Sequence, residues 1–118
     1  MISDHTTGTE DEGNPMIVTV FRSRLRSEAI AEYTAWATRM SELAATMPGH
    51  VSHKTFTAED GERVTVIEFE SEAAQRNWSV NVEHVRAKAK GREAFYAEYK
   101  LQVCELVRES RFQAAGRD

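Results

Sequence analysis

A chain of 118 residues is the length of one domain, and 41% hydrophobic content is ordinary for a globular one. No apolar run approaches the roughly 18 residues a membrane helix needs, and the acidic, polar start is not a secretory signal, so the expected compartment is the cytoplasm. The single cysteine, Cys104, excludes an internal disulfide and every multi-cysteine metal site, and in a strand pattern it reads as a small buried hydrophobe.

The net charge is −4, and residues 1–15 contribute Asp4, Glu10, Asp11 and Glu12 with no Lys or Arg. This stretch has no periodicity and reads as a flexible acidic tail that includes His5. The remainder, expected as one domain over 16–110 with a frayed end at 111–118, is close to neutral. Its densest basic run, Arg86, Lys88, Lys90 and Arg92, has no interleaved aromatics. That is a solvated helix face rather than a nucleic-acid footprint.

Met16 to Leu25 is dense in β-branched residues and predicts a strand. Ile17, Thr19, Phe21, Ser23 and Leu25 share one face; Val18, Val20, Arg22 and Arg24 share the other. Ser27 is the expected N-cap of a helix running to about Thr46. Ala29, Tyr33, Trp36, Met40, Leu43 and Met47 form one apolar stripe along it. Pro48-Gly49 stops that helix.

Val51 to Glu59 and Glu62 to Glu70 flank Asp60-Gly61, a strong hairpin signal. A two-residue turn there sets Thr57 opposite Val64, Thr55 opposite Val66 and His53 opposite Glu68. It places Phe56, Thr65, Ile67 and Phe69 on the other face. Ser71 caps a second helix carrying Ala74 and Trp78, the pattern loosens over Ser79–Val82, and helix resumes through His84, Val85 and Ala89. Gly91 ends or breaks it, Ala94-Phe95-Tyr96 reads as a short helical turn, and a last strand runs from about Ala97 to Glu109.

Strand, helix, strand, strand, helix, strand is the ferredoxin-like α+β pattern, with a four-stranded antiparallel sheet. Both helices fall on one face, leaving Val18, Val20 and their neighbours bare. Burying such a surface is worth roughly 25 cal/mol per Å². The expectation is therefore a homodimer packed sheet against sheet, with an interface on the order of 2,000 Å² or more.

The stretch PGHVSHKTFTAEDGERVTVIEFES, Pro48 to Ser71, resembles the middle of antibiotic biosynthesis monooxygenase domains. Trp78, Glu83-His84, Gly91-Arg92 and Phe95-Tyr96 resemble that family's second half, so the resemblance spans Met16 to Glu109. It implies a dimeric α+β barrel with a pocket between sheet and helices in each protomer. It also implies oxygenation of quinol-like or polyketide substrates by O2 with no cofactor: no metal, flavin or nicotinamide. The protein would supply a dry cavity, a proton acceptor and something to steady the substrate anion. Family members that degrade heme use a first-strand Asn, a Trp and a later His. Here those positions hold Phe21, Trp78 and Lys88, and a protonated Lys is a poor axial ligand. Heme binding is thus a minor alternative. Many look-alikes carry Pro where this chain has Val82.

The candidate residues each have a bland reading beside the functional one. Trp78 lines a substrate pocket or fills the core, and Phe21 is expected to line the pocket with it. His84 is a candidate general base or a surface histidine. His53 opposite Glu68 is either a base held in one tautomer or a structural pair at the dimer interface. Tyr96 donates to a quinol oxygen or sits on the rim. Arg22 and Arg24 are expected to pair with Glu68, Glu70 or partner carboxylates. The four histidines have no metal-ligand spacing, and no phosphate loop is present. The function expected is a cofactor-independent monooxygenase acting on a small aromatic molecule; the alternative is a non-catalytic dimer that binds a small hydrophobic ligand or serves stress response.

Overall fold

The computed structural model describes residues 14–115. The acidic tail expected over 1–15 therefore lies outside the described residues except for Asn14 and Pro15, and residues 106–114 carry no regular element. The elements are β1 (Ile17–Leu25), α1 (Ile30–Ala45), β2 (His50–Thr57), β3 (Arg63–Phe69), α2 (Glu72–Ser79), α3 (Val82–Lys90) and β4 (Tyr96–Glu105). The strands pair antiparallel throughout in the order β2-β3-β1-β4, which is the ferredoxin-like arrangement.

Alternation along β1 sorts its side chains as the sequence implies. Ile17, Thr19 and Ser23 are buried toward the helices, whereas Val18, Val20, Arg22 and Arg24 lie on the open face. Cross-strand partners extend that face with Val64 and Val66. The core sits on the other side, where Ile17 and Phe69 meet Ala44 of α1 and Ala74 and Trp78 of α2. Met40, Leu43 and Met47 of the helical stripe pack against this cluster.

Several boundaries differ from the sequence reading. Ser27 does not cap α1: residues Ser27–Ala29 form a separate 3-10 turn, closed by the Ala29 N–H donating to the Arg26 carbonyl, and the helix starts behind it without a side-chain cap. Ser71 does cap α2, accepting from the Ala74 N–H. The loosened stretch after it is a true break, because Asn81 caps α3 by accepting from the His84 N–H. Val82 is the first residue of α3, a position where a missing N–H costs nothing and a proline would also fit. As expected, α3 ends at Gly91, which is its C-cap, but a wide π-helical turn, Gly91–Phe95, follows it directly. A Cβ at Gly91 would fall 2.4 Å from the Tyr96 ring, so the glycine makes room for that ring. Tyr96 opens β4 instead of closing a helical turn, and β4 stops at Glu105, four residues short of Glu109.

The hairpin register is the main correction. Thr57 pairs with Arg63, Thr55 with Thr65 and His53 with Ile67. The Gly61 N–H donates to the Ala58 carbonyl, the Ala58 N–H donates to the Glu62 carbonyl, and Gly61 has φ +92°. This is a three-residue loop ending in a left-handed glycine, not a two-residue turn. One extra loop residue shifts the pairing by one and turns every β2 side chain to the opposite face. His53 and Thr55 therefore face the helices, and Phe56 lies across from Val64 on the open face.

Candidate active site

Trp78 lies on the last turn of α2 and is 5% exposed. Its ring stacks on the imidazole of His84, with centroids 4.0 Å apart and planes 11° from parallel. The helix break makes this possible: Asn81 starts α3 so that the chain doubles back and brings residue 84 over residue 78. His84 Nδ1 lies 2.9 Å from the Trp78 carbonyl oxygen. A carbonyl only accepts, so Nδ1 carries the proton and Nε2 keeps its lone pair. Burial lowers the His84 pKa, opposed by the Trp78 carbonyl bond and helped by the Lys88 charge. The imidazole is thus held neutral, in one tautomer, with Nε2 as its basic atom.

A cleft of about 510 Å³ opens between α1 and α3, lined by Trp36, Asn81, Val82, Glu83 and Arg86, with His84 following Glu83 in the chain. Arg39 of α1 spans the seam with two bonds to Glu83, at 2.6 and 2.9 Å, and this pairing holds the Glu83 carboxyl below its usual range. Lys88 donates to the Ser79 carbonyl at 2.9 Å.

Phe21 and Tyr96 come together, but elsewhere. Their rings are 5.5 Å apart, within a cluster that includes Tyr33 and Tyr99. Phe21 lies four residues along β1 from Ile17, the Trp78 neighbour, which is roughly 13 Å of strand. Burial, reinforced by Tyr33, raises the Tyr96 pKa well above that of an ordinary phenol, so its hydroxyl stays a donor. The Arg63 guanidinium lies 5.3 Å from the Tyr33 ring centre.

The expected pairing of His53 with Glu68 does not form. The three-residue loop turns His53 away from Glu68, which lies on the open face with the Ser52 hydroxyl as its partner at 2.6 Å. His53 instead faces α1 and bonds Ser41 and His50. Arg22 and Arg24 also have other partners than expected. Arg22 makes two bonds to Glu62, and Arg24 reaches Asp60 and Glu98, because the loop folds back over the end of β1. Cys104 is exposed rather than buried, since it shares the uncovered face with Val18.

His50 escaped the sequence reading. Histidines three apart on a regular strand point to opposite faces. Here the register shifts between His50 and Ser52, with Val51 as the extra residue. His50 then pairs with Phe69 and His53 with Ile67, so both imidazoles face the helices. Nothing local in the sequence signals such a bulge. Burial, with the neighbouring His53 adding to it, lowers the His50 pKa.

These shifts set a pH dependence. His84 and His50 titrate lower in the folded chain than at the unfolded value of about 6.5. Between the two values the unfolded chain binds more protons, so stability falls as pH drops below about 6.5. The depressed carboxyls of Asp60, Glu62 and Glu83 act only in a more acidic window. Thermal denaturation is expected to give a lower midpoint at pH 5 than at pH 7.5, with a smaller difference in His84→Gln; a midpoint flat across that range would contradict it.

The family model for "Antibiotic biosynthesis monooxygenase" matches residues 16–90. The uncharacterized protein YqjZ of Bacillus subtilis (strain 168) is 34% identical over 104 residues, covering 88% of this chain and 91% of its own. Among solved structures, Rv0793 of Mycobacterium tuberculosis has a TM-score of 0.73 at 18% identity, covering 81% of this chain and 99% of its own. SnoaB, a cofactor-independent oxygenase from Streptomyces nogalater, was solved as a mutant; it has a TM-score of 0.66 at 16% identity, covering 87% and 99%. At those identities the two structures speak for the fold. Among the described residues, no helix is long and apolar enough to cross a membrane. By the family model and the 34% identity together, the chain belongs to the antibiotic biosynthesis monooxygenase family.

Proposed function

We propose that this chain is a cofactor-independent monooxygenase that uses O2 to oxidise a small aromatic, quinol or polyketide-like substrate, with His84 as its general base. The observation that carries this reading is the fixed tautomer of His84. A neutral imidazole stacked on Trp78, with Nδ1 tied to a carbonyl, leaves Nε2 as a proton acceptor, and its chain neighbour Glu83 lines the cleft between α1 and α3. For an anthrone-type methylene the overall change is CH2 + O2 → C=O + H2O. His84 would take the first C–H or O–H proton, and the resulting carbanion or phenolate would deliver electrons to O2. His53 is the weaker candidate, because both of its ring nitrogens already have partners. Trp78, on which His84 stacks, is assigned to substrate contact at this site; Phe21 and Tyr96 sit in the separate aromatic cluster with Tyr33 and are assigned to it only if a substrate is long enough to span both. A homodimer formed through the open sheet face completes the assignment. The support is the apolar run of Val18, Val20, Val64 and Val66 beside Phe56, which is 52% exposed in the single chain.

The test is oxygen uptake with a panel of naphthohydroquinones and anthrones, with a metal chelator present. His84→Ala, checked to keep the wild-type oligomeric state, is expected to lose about 10²-fold or more in rate. Full activity in that variant would remove His84 from the chemistry. Tight ligand binding with no turnover in the wild type would favour a non-catalytic binding protein instead.

A further inference from the structure

Three aliphatic hydroxyls lie on α1. Two bond back to their own helix: Thr34 donates to the Ile30 carbonyl at 2.9 Å, and Thr38 to the Thr34 carbonyl at 3.0 Å. That is the ordinary behaviour of a hydroxyl within a helix. Ser41 differs. Its Oγ lies 2.5 Å from His53 Nε2, across the gap between α1 and β2. The other nitrogen, His53 Nδ1, lies 2.8 Å from His50 Nε2. The chain of contacts therefore runs hydroxyl, imidazole, imidazole, and it exists because the bulge at Val51 puts both histidines on one face.

Proton placement fits a nucleophile. With the Ser41 hydroxyl donating to His53 Nε2, the His53 proton is on Nδ1 and donates to His50 Nε2. His50 packs against Phe69, with ring centres 6.2 Å apart, and this half-buried position favours its neutral, accepting form. Nucleophile bonded to base, and base bonded to an orienting group, is the logic of a catalytic triad recognised by geometry. Ser41 is exposed, so a small molecule can reach it.

We propose that Ser41 is an acyl-accepting nucleophile, with His53 as its general base and His50 as the residue that orients His53, in a centre separate from the oxygenation site that takes small activated esters. In the first step Ser41 Oγ bonds to the acyl carbon, the alkoxy or aryloxy group leaves, and the hydroxyl proton passes through His53 Nε2 to the leaving group. In the second step water bonds to the acyl carbon, His53 takes the water proton, and the serine oxygen leaves as the hydroxyl. The net change is ester plus water to acid plus alcohol. Ser41 lies inside α1, whose interior N–H groups already bond to helix carbonyls, so its own helix offers no backbone donor to steady a tetrahedral oxyanion. Both steps are then slow, but an activated ester's aryloxide leaves more readily than the serine oxygen does, so acylation outpaces deacylation and the acyl-serine accumulates.

The experiment is intact-mass and peptide mapping of the full chain treated with p-nitrophenyl acetate. One acetyl group on Ser41 is the expected result, forming about 10²-fold faster than in His53→Gln. Ser41→Ala, which suits a helix interior and preserves folding, should lose the label. His50→Ala should slow labelling, and His50→Gln, which restores an acceptor near Nδ1 of His53, should recover part of the rate; a merely structural histidine would give no such recovery. Labelling confined to lysines, or equal rates in wild type and His53→Gln, would overturn the proposal.

Discussion

Replacing Phe69 with Ala is expected to cost about 3–5 kcal/mol, a large share of the 5–15 kcal/mol typical of a domain. Phe69 is 0% exposed and sits where the two helices meet the sheet. It pairs with Ile17 on one side and His50 on the other, so the lost ring leaves a cavity that no neighbouring strand can close by shifting. Chemical denaturation at matched protein concentration should show a lower midpoint with an unchanged slope. Phe112→Ala is the control. Its side chain is 89% exposed in a stretch with no regular element, so it should barely change stability. A Phe69→Ala loss no larger than that of Phe112→Ala would refute the placement of the core.

Gly49→Ala carries the second large effect. Gly49 has φ +85°, a conformation that costs a side-chain-bearing residue about 1–3 kcal/mol. A Cβ there would also fall 2.5 Å from the Ala74 Cβ and 3.2 Å from the Glu70 Cγ. Ala74 is buried, and its methyl is fixed to the backbone of α2, so it cannot swing aside. Overpacking of this kind adds about 1–3 kcal/mol. Gly61→Ala isolates the first part, since Gly61 has φ +92° and a Cβ there would meet nothing within 4 Å. Gly49→Ala should therefore be the more destabilising of the two. Adding Ala74→Gly should recover part of the difference by removing the opposing methyl. Equal losses at the two glycines would show that α2 does not press against Gly49.

Much of this architecture was legible because periodicity reports burial. The stripe through Met40, Leu43 and Met47 packs on the core, and the β1 alternation assigns the covered and open faces. The cap at Ser71 and the gap before His84 were also readable, and together they position the Trp78–His84 pair. Register was not readable. Asp60-Gly61 suits a two-residue turn and a three-residue loop equally well, and the difference decides which face His53 occupies. The Arg22–Glu62 and Arg24–Asp60 pairs became visible only once that loop folded back on β1. Ser41 lay outside the apolar stripe and carried no signal of its own. Its role emerges only where an adjacent strand delivers an imidazole to it.

The bulge in β2 has a consequence for descent. Histidine identity and histidine spacing are separate heritable traits here, because Val51 alone reconciles a separation of three residues with a shared face. A relative with both histidines three apart but a regular strand would place its imidazoles back to back across the sheet. One with the histidines two apart would keep them together with no bulge at all. Comparing relatives column by column would score the first as alike and the second as different, the reverse of what their side chains can do.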